Sequence, residues 1–160
     1  MERLKTNIVP FEGPLDSKIL FLGEGPGEEE DTSLRPFVGS AGQLLDRCFR
    51  TVGIVRGEVL IGNIFLQRPP KNNINYYFQD SKNNTLTWEG QEHVDHLKAF
   101  LEKLKEEGNV NIVVALGAVA MKVLTGKSRI TKWRGSLLPS TLIEGFKVYP
   151  MFHPSYINRL

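Results

Sequence analysis

A single cysteine, Cys48, is all that the chain's 160 residues contain. That excludes an intrachain disulfide and any metal site built on four cysteines. Charge is nearly balanced: 20 Lys and Arg against 18 Asp and Glu leave a net +2, too weak a surplus to demand or exclude nucleic acid. No apolar run approaches the ~20 residues of a membrane span, and Met1-Glu2-Arg3-Leu4-Lys5 does not open a secretory signal. A cytoplasmic protein without membrane contact is expected, and no internal repeat is visible. What is present, 41% hydrophobic and 24% charged residues, is an ordinary globular composition. A chain of this size buries roughly two-thirds of its unfolded surface, so one domain over residues 1–160 is expected, with 1–17 as an N-terminal extension.

Four short apolar segments rich in branched or aromatic residues read as strands: Ile19 to Leu22, Val59 to Phe65, Ile112 to Leu116 and Val148 to Phe152. Helical periodicity fills the gaps. Residues 41, 44, 45, 48 and 49 are apolar, with Ser40 as N-cap. Gln91 to Glu107 places Val94, Leu97, Leu101 and Leu104 on one face, and Gly117 to Leu124 is a short apolar helix. Strands alternating with helices predict an α/β fold: a three-layer α/β/α domain around a four-stranded parallel sheet. Asn72 to Trp88, rich in asparagine, reads as a long loop with room for a small hairpin. Its Tyr76-Tyr77-Phe78 cluster either packs that loop down or meets a ligand.

The most informative stretch follows the first strand. Gly23-Glu24-Gly25-Pro26-Gly27-Glu28-Glu29-Glu30-Asp31 is a glycine turn running into an acidic loop, and Arg35-Pro36-Phe37-Val38-Gly39 comes next. In an open α/β sheet, ligands bind at the carboxyl ends of strands. Here that edge carries carboxylates, which suits acid–base work on a ligand. The glycine spacing does not fit a dinucleotide fingerprint, and the acids would repel a pyrophosphate.

These blocks, followed by Gly42-Gln43-Leu44-Leu45-Asp46, Asn63-Ile64, Arg68-Pro69-Pro70 and His153-Pro154-Ser155-Tyr156 in order, resemble the uracil-DNA glycosylase superfamily. Its family-four branch is the nearest, over about residues 18–160. The resemblance implies a monofunctional DNA N-glycosylase that flips uracil out of DNA, hydrolyses its bond to deoxyribose and initiates base excision repair. Such chemistry needs a donor at the base oxygen, a group that orients water, and an apolar surface for the extruded base. The expected partner is uracil-containing DNA, single- or double-stranded, met by a monomer.

On that reading His153 hydrogen-bonds uracil O2 as negative charge develops. Taken alone, it equally suits a histidine satisfied at a strand end. Glu24 positions the water, because Gly25 stands where family-one enzymes carry an aspartate; Glu30, with Asp31, is the competing candidate. A glutamate late in the acidic run also walls off the thymine methyl group, Gly27 standing where family one has a tyrosine. Phe37 stacks on the base. The Asn63 amide pairs with O4 and N3–H, which rejects cytosine. Gly25 and Glu30 complete the substrate-binding set. Gly39 and Ser40 are expected to hold phosphate, and Ser155, Tyr156 and Arg159 to enter the space the nucleotide leaves. Lys127, Arg129, Lys132 and Arg134 beside Trp133 form either a DNA-contacting loop or a plain solvated surface.

Family-four members usually bind a four-iron cluster through four cysteines, two before the first strand and one just before Arg-Pro-Pro. Here residues 1–17 have none and Gln67 precedes Arg68, so no cluster and no other metal are expected. The loop Lys71 to Asn75 lacks the histidine with which some relatives bond the sugar, so simple hydrolysis is expected. Relatives generally continue beyond the histidine motif, which makes this chain either a short form or a fragment. The alternative function is a catalytically silent DNA- or uracil-binding module, phage-type or polymerase-associated.

Overall fold

The computed structural model describes residues 3–159; Met1, Glu2 and Leu160, the extremities of the expected domain, lie outside the described residues. In chain order the elements are β1 (Ile19–Gly23), α1 (Glu28–Ser33), α2 (Ser40–Val52), β2 (Leu60–Asn63), β3 (Phe78–Asp80), β4 (Thr85–Leu86), α3 (Trp88–Glu107), β5 (Ile112–Leu116), α4 (Ala118–Thr125), α5 (Ile130–Trp133), β6 (Leu138–Pro139), β7 (Lys147–Met151) and α6 (Pro154–Asn158).

The main sheet has five strands in the order β2-β1-β5-β7-β6, so the fold is α/β as expected but the strand count is corrected. Four strands are parallel, with Leu20 opposite Leu60 and Val113, and Val113 opposite Val148. The fifth, β6, is a two-residue antiparallel edge on β7, too short and proline-containing to register as a strand in sequence. The second strand is shorter than Val59 to Phe65. Beyond Asn63 the chain stays buried, and the Ile64 and Phe65 N–H groups donate to Gly23 and Glu24 carbonyls at 2.9 and 3.0 Å. Residues 8–12 of the expected N-terminal extension run along the sheet. Glu12 and Ile61 exchange two 2.8 Å backbone hydrogen bonds, and Val9 N–H donates to Leu66 O, so residues 8–12 cover the outer edge of β2.

Side-chain alternation along the strands gives each face its own core. Leu20, Leu22, Leu60, Val113 and Ala115 point to one side, where the buried stripe Val94, Leu97, Leu101 and Leu104 of α3 covers them. Phe21, Ile61, Val114 and Leu116 point to the other, where Leu45 and Phe49 of α2 and the ring of Phe37 close a smaller cluster. Cys48, expected on the apolar face of α2, is exposed. Its α2 position falls outside the stripe that Leu45 and Phe49 bury.

Helix boundaries also shift by a residue or more. Gly39, not Ser40, caps α2. Helix α3 begins at Trp88, three residues before Gln91, because Thr87 accepts from Gly90 N–H at 3.2 Å. The asparagine-rich loop does contain a hairpin, β3 with β4. Its aromatic cluster packs inward: Tyr77 is fully buried, with its ring 4.2 Å from that of Phe65 and nearly parallel to it. No helix among the described residues is long and apolar enough to cross a membrane.

Candidate active site

The carboxyl ends of β1 and β2 and the residues just after β7 meet at one cleft of about 430 Å³. Glu24 and Gly25 follow β1 directly, Asn63 closes β2, and His153 stands two residues beyond Met151. All four line the cleft, with Glu30, Phe37, Gly39, Ser40, Ser155 and Arg159. Of the residues singled out in sequence, Tyr156, Asp31 and the basic residues from Lys127 to Arg134 lie outside the lining; Tyr156 is exposed, its ring 4.9 Å from that of Phe152.

His153 caps α6, and that fixes its tautomer. The Ser155 N–H donates to Nδ1 at 3.0 Å, and Ser155 Oγ lies 2.7 Å from the same nitrogen. Because Nδ1 accepts, the proton of a neutral ring sits on Nε2. Burial, assisted by the positive charge of Arg159, brings the pKa down to about 4 against an opposing pull from Glu30. The imidazole is therefore a neutral Nε2–H donor at physiological pH. Glu24 shows the complementary effect. Desolvation raises its carboxyl pKa above the ordinary 4.5, with Arg159 opposing. A carboxylate so placed is a stronger base than one in water.

Glu30 is differently used. Its Oε1 accepts from Gly27 N–H at 3.0 Å and its Oε2 from Val38 and Gly39 N–H at 2.9 and 2.6 Å. One carboxylate thus ties the glycine turn to the loop that carries Phe37. Asp31 turns away from the cleft and accepts from Asn7 N–H at 2.8 Å.

Phe37 is buried, yet belongs to both the smaller core and the cleft lining. Its ring lies across Gly23, where an added Cβ would overlap the ring and crowd Asn63 Oδ1 at 2.7 Å. Its carbonyl lies against Gly42, where any Cβ would again collide. A glycine in the first turn of a helix is a sequence signal of such close approach. Asn63 itself is buried to 2% exposure, which makes an amide there a costly choice unless it has a hydrogen-bonding task.

Two residues of the site went unmarked in the sequence. Arg56, four residues past the end of α2, reaches the Phe37 loop, and Ile74 brings the asparagine-rich loop to the cleft. Neither sits in a recognisable motif. The basic residues after α4 are arranged around aromatic rings. Lys127 and Lys132 each lie 5.0 Å from the Trp133 ring, and Arg134 lies 4.9 Å from that of Phe152, the neighbour of Tyr156.

The iron–sulfur cluster implied by the resemblance does not fit the donor set. Gln67 uses its amide to donate to Thr6 O at 2.8 Å, Thr6 Oγ1 donates to Arg68 O, and Tyr77 Oη donates to Gln67 O at 2.6 Å. Among the described residues no group of three or more His, Cys, Asp or Glu could hold a metal ion.

The cleft thus lies at the carboxyl edge of a parallel α/β sheet, with the Phe37 ring and the buried Asn63 amide in its lining. Residues 10–160 match the Uracil DNA glycosylase superfamily. The chain is 45% identical over 157 residues to the Type-4 uracil-DNA glycosylase of Thermotoga maritima, covering 97% of this chain and 73% of that one. It is 33% identical over 160 residues to the Type-4 uracil-DNA glycosylase of Sulfurisphaera tokodaii, covering 96% and 66%. A DNA polymerase of Bacillus phage SP01 is 28% identical over 147 residues, which is 91% of this chain and 14% of the polymerase. The chain belongs to the uracil-DNA glycosylase superfamily, in its type-4 branch.

Proposed function

We propose that this protein removes uracil from DNA by hydrolysing the bond between the base and deoxyribose, with Glu24 and His153 as its two catalytic residues. The observation that carries the reading is the fixed tautomer of His153, which leaves Nε2–H as the donor within a cleft that also holds Glu24. An extruded uracil stacks on Phe37, and the Asn63 amide donates to O4 and accepts from N3–H. As the C1′–N1 bond breaks, its electron pair moves onto the base, and the hydrogen bond from His153 to O2 strengthens with the growing charge. Water adds its oxygen to C1′ and Glu24 takes its proton, which leaves an abasic site and the uracil anion; the anion is then protonated from solvent and departs as uracil, and Glu24 gives its proton back to solvent.

Glu24 rather than Glu30 orients the water, because the Glu30 oxygens already accept three backbone N–H groups. Glu30 and Gly25 complete the wall beside the base, where Glu30 excludes the thymine methyl group. Gly39, Ser40, Ser155, Tyr156 and Arg159 contact DNA, extended by the Lys127-to-Arg134 loop. The protein acts as a monomer, without an iron–sulfur cluster. Hydrogen bonds from Gln67 and Tyr77 brace the loops that a cluster would pin. Iron and sulfide at stoichiometric amounts in purified protein would contradict this.

The second reading, a silent binding module attached to replication machinery, draws on the similarity to a phage DNA polymerase. Single-turnover assays on single- and double-stranded oligonucleotides with one deoxyuridine, with alkali to reveal abasic sites, separate the two. Excision by the parent, lost in Glu24→Gln and His153→Ala, supports the enzyme. Binding without excision supports the module.

A further inference from the structure

Phe37 carries its ring on a backbone that a non-glycine residue seldom adopts. Its φ is +53°, in the left-handed region, at a cost on the order of 1–2 kcal/mol. Such a conformation persists only when its surroundings hold it. Glu30 holds the N–H groups that follow, at Val38 and Gly39. The carbonyls before and at the strained residue are held by one side chain, Arg56.

Every N–H of the Arg56 guanidinium is in use. Nη1 donates to Phe37 O and to Asp46 Oδ1, both at 2.8 Å. Nη2 donates to Pro36 O at 2.6 Å and to Glu12 Oε2 at 3.2 Å, and Nε reaches the same Glu12 oxygen at 3.4 Å. Arg35, next to Pro36, completes the frame with a 2.6 Å contact to Glu12 Oε1. A plain ion pair has no need of two backbone carbonyls, and solvent-exposed ion pairs add little stability. A planar fork that joins two consecutive carbonyls to two carboxylates fixes the orientation of a peptide, which the three donors of a lysine cannot reproduce. The carboxylates come from α2 and from the N-terminal segment, so three parts of the chain converge on the loop that holds the ring.

We propose that Arg56 is a positioning residue of the base pocket: by clamping the Pro36 and Phe37 carbonyls it sets the plane of the Phe37 ring against the bound base. The proposal rests on the reading of Phe37 as the stacking surface, and predicts that Arg56 acts on the base only through Phe37.

Equilibrium dialysis of labelled free uracil against the parent, Phe37→Ala, Arg56→Lys and the double variant tests this, with melting temperatures to confirm folding. Arg56→Lys is expected to weaken uracil binding about tenfold, and to slow single-turnover excision by on the order of 10- to 100-fold through misplacement of the base. The double variant is expected to bind no more weakly than Phe37→Ala alone, the non-additivity of residues acting as one unit. Because lysine keeps the charge, the salt dependence of DNA binding is expected to match the parent's. Unchanged uracil binding in Arg56→Lys, or a loss that adds to that of Phe37→Ala, overturns the proposal while the stacking reading stands. Normal uracil binding by Phe37→Ala overturns the stacking reading, and the proposal with it. If Arg56→Lys does not fold, Asp46→Asn takes its place in the cycle, and the same results support or overturn the proposal.

Discussion

The two faces of the sheet are built from alternate residues of the same strands, yet they differ in kind. The face under α3 is closed: Leu20, Leu22, Leu97, Leu101 and Leu104 are at or near zero exposure. Polar groups near it are spent on holding segments together, as Tyr77 and Gln67 show. The face under α2 is smaller, and its cluster runs through Phe37 into the cleft. One hydrophobic layer is therefore closed off, while the other also lines the cleft. Damage to the first is expected to change how much protein is folded, and damage to the second what the folded protein does.

The largest expected effect falls on the open side. Glu24→Gln is expected to slow excision by about 10²–10⁴-fold in single-turnover assays. Its melting temperature is expected to hold or rise, since a desolvated carboxyl has been removed. On the closed side, Leu101→Ala is expected to cost about 2–5 kcal/mol in denaturant unfolding, with an unchanged single-turnover rate per folded molecule. A rate loss there would break the division between the faces. Asn63→Asp is expected to shift discrimination towards cytosine by on the order of tenfold, measured on matched uracil and cytosine oligonucleotides. Full uracil preference in that variant would remove Asn63 from base reading.

The smallest effect is a pH dependence. In the proposed mechanism Glu24 must be ionised, and its pKa is raised, so the rate is expected to drop as pH is lowered, along an acid limb above 4.5. His153, neutral down to about 4, does not set that limb. Arg159 favours the ionised form of Glu24, so Arg159→Gln is expected to move the limb upward. The stability contribution of His153 has the same sign, while the raised carboxyl pKa of Glu24 works in the opposite direction. The unfolded chain binds more protons at His153 between its ordinary 6.5 and about 4, so unfolding becomes easier as pH falls through that window. A limb centred near 4 in the rate per folded molecule would return the acid dependence to His153.

Much of this was legible in the residues. The four parallel strands and the helices α2, α3 and α4 follow from periodicity, because burial on a strand repeats every second residue and on a helix every three to four. Glu24, Phe37, Asn63 and His153 were legible as candidates because each sits at a strand end or in a glycine turn. The antiparallel edge β6 was not legible, since two residues carry no periodicity. Nor was the exposure of Cys48, because one helical position can be judged only against the surface that covers its neighbours.

The sequence by itself determined the sheet's hydrophobic alternation, the carboxylates at its carboxyl edge and the lack of cysteines for an iron–sulfur cluster, because residue type and short-range spacing suffice for each. Only the tertiary structure decided that Glu30 is spent on backbone N–H groups, that His153 keeps its proton on Nε2, and that Arg56 clamps the Phe37 loop. Those three facts are hydrogen bonds between specific atoms. Two of them join residues up to 20 positions apart. The third, between His153 and Ser155, depends on the backbone direction at the start of α6. For the two longer-range cases donor direction and distance are set by the packed fold, and no local pattern of residues encodes them.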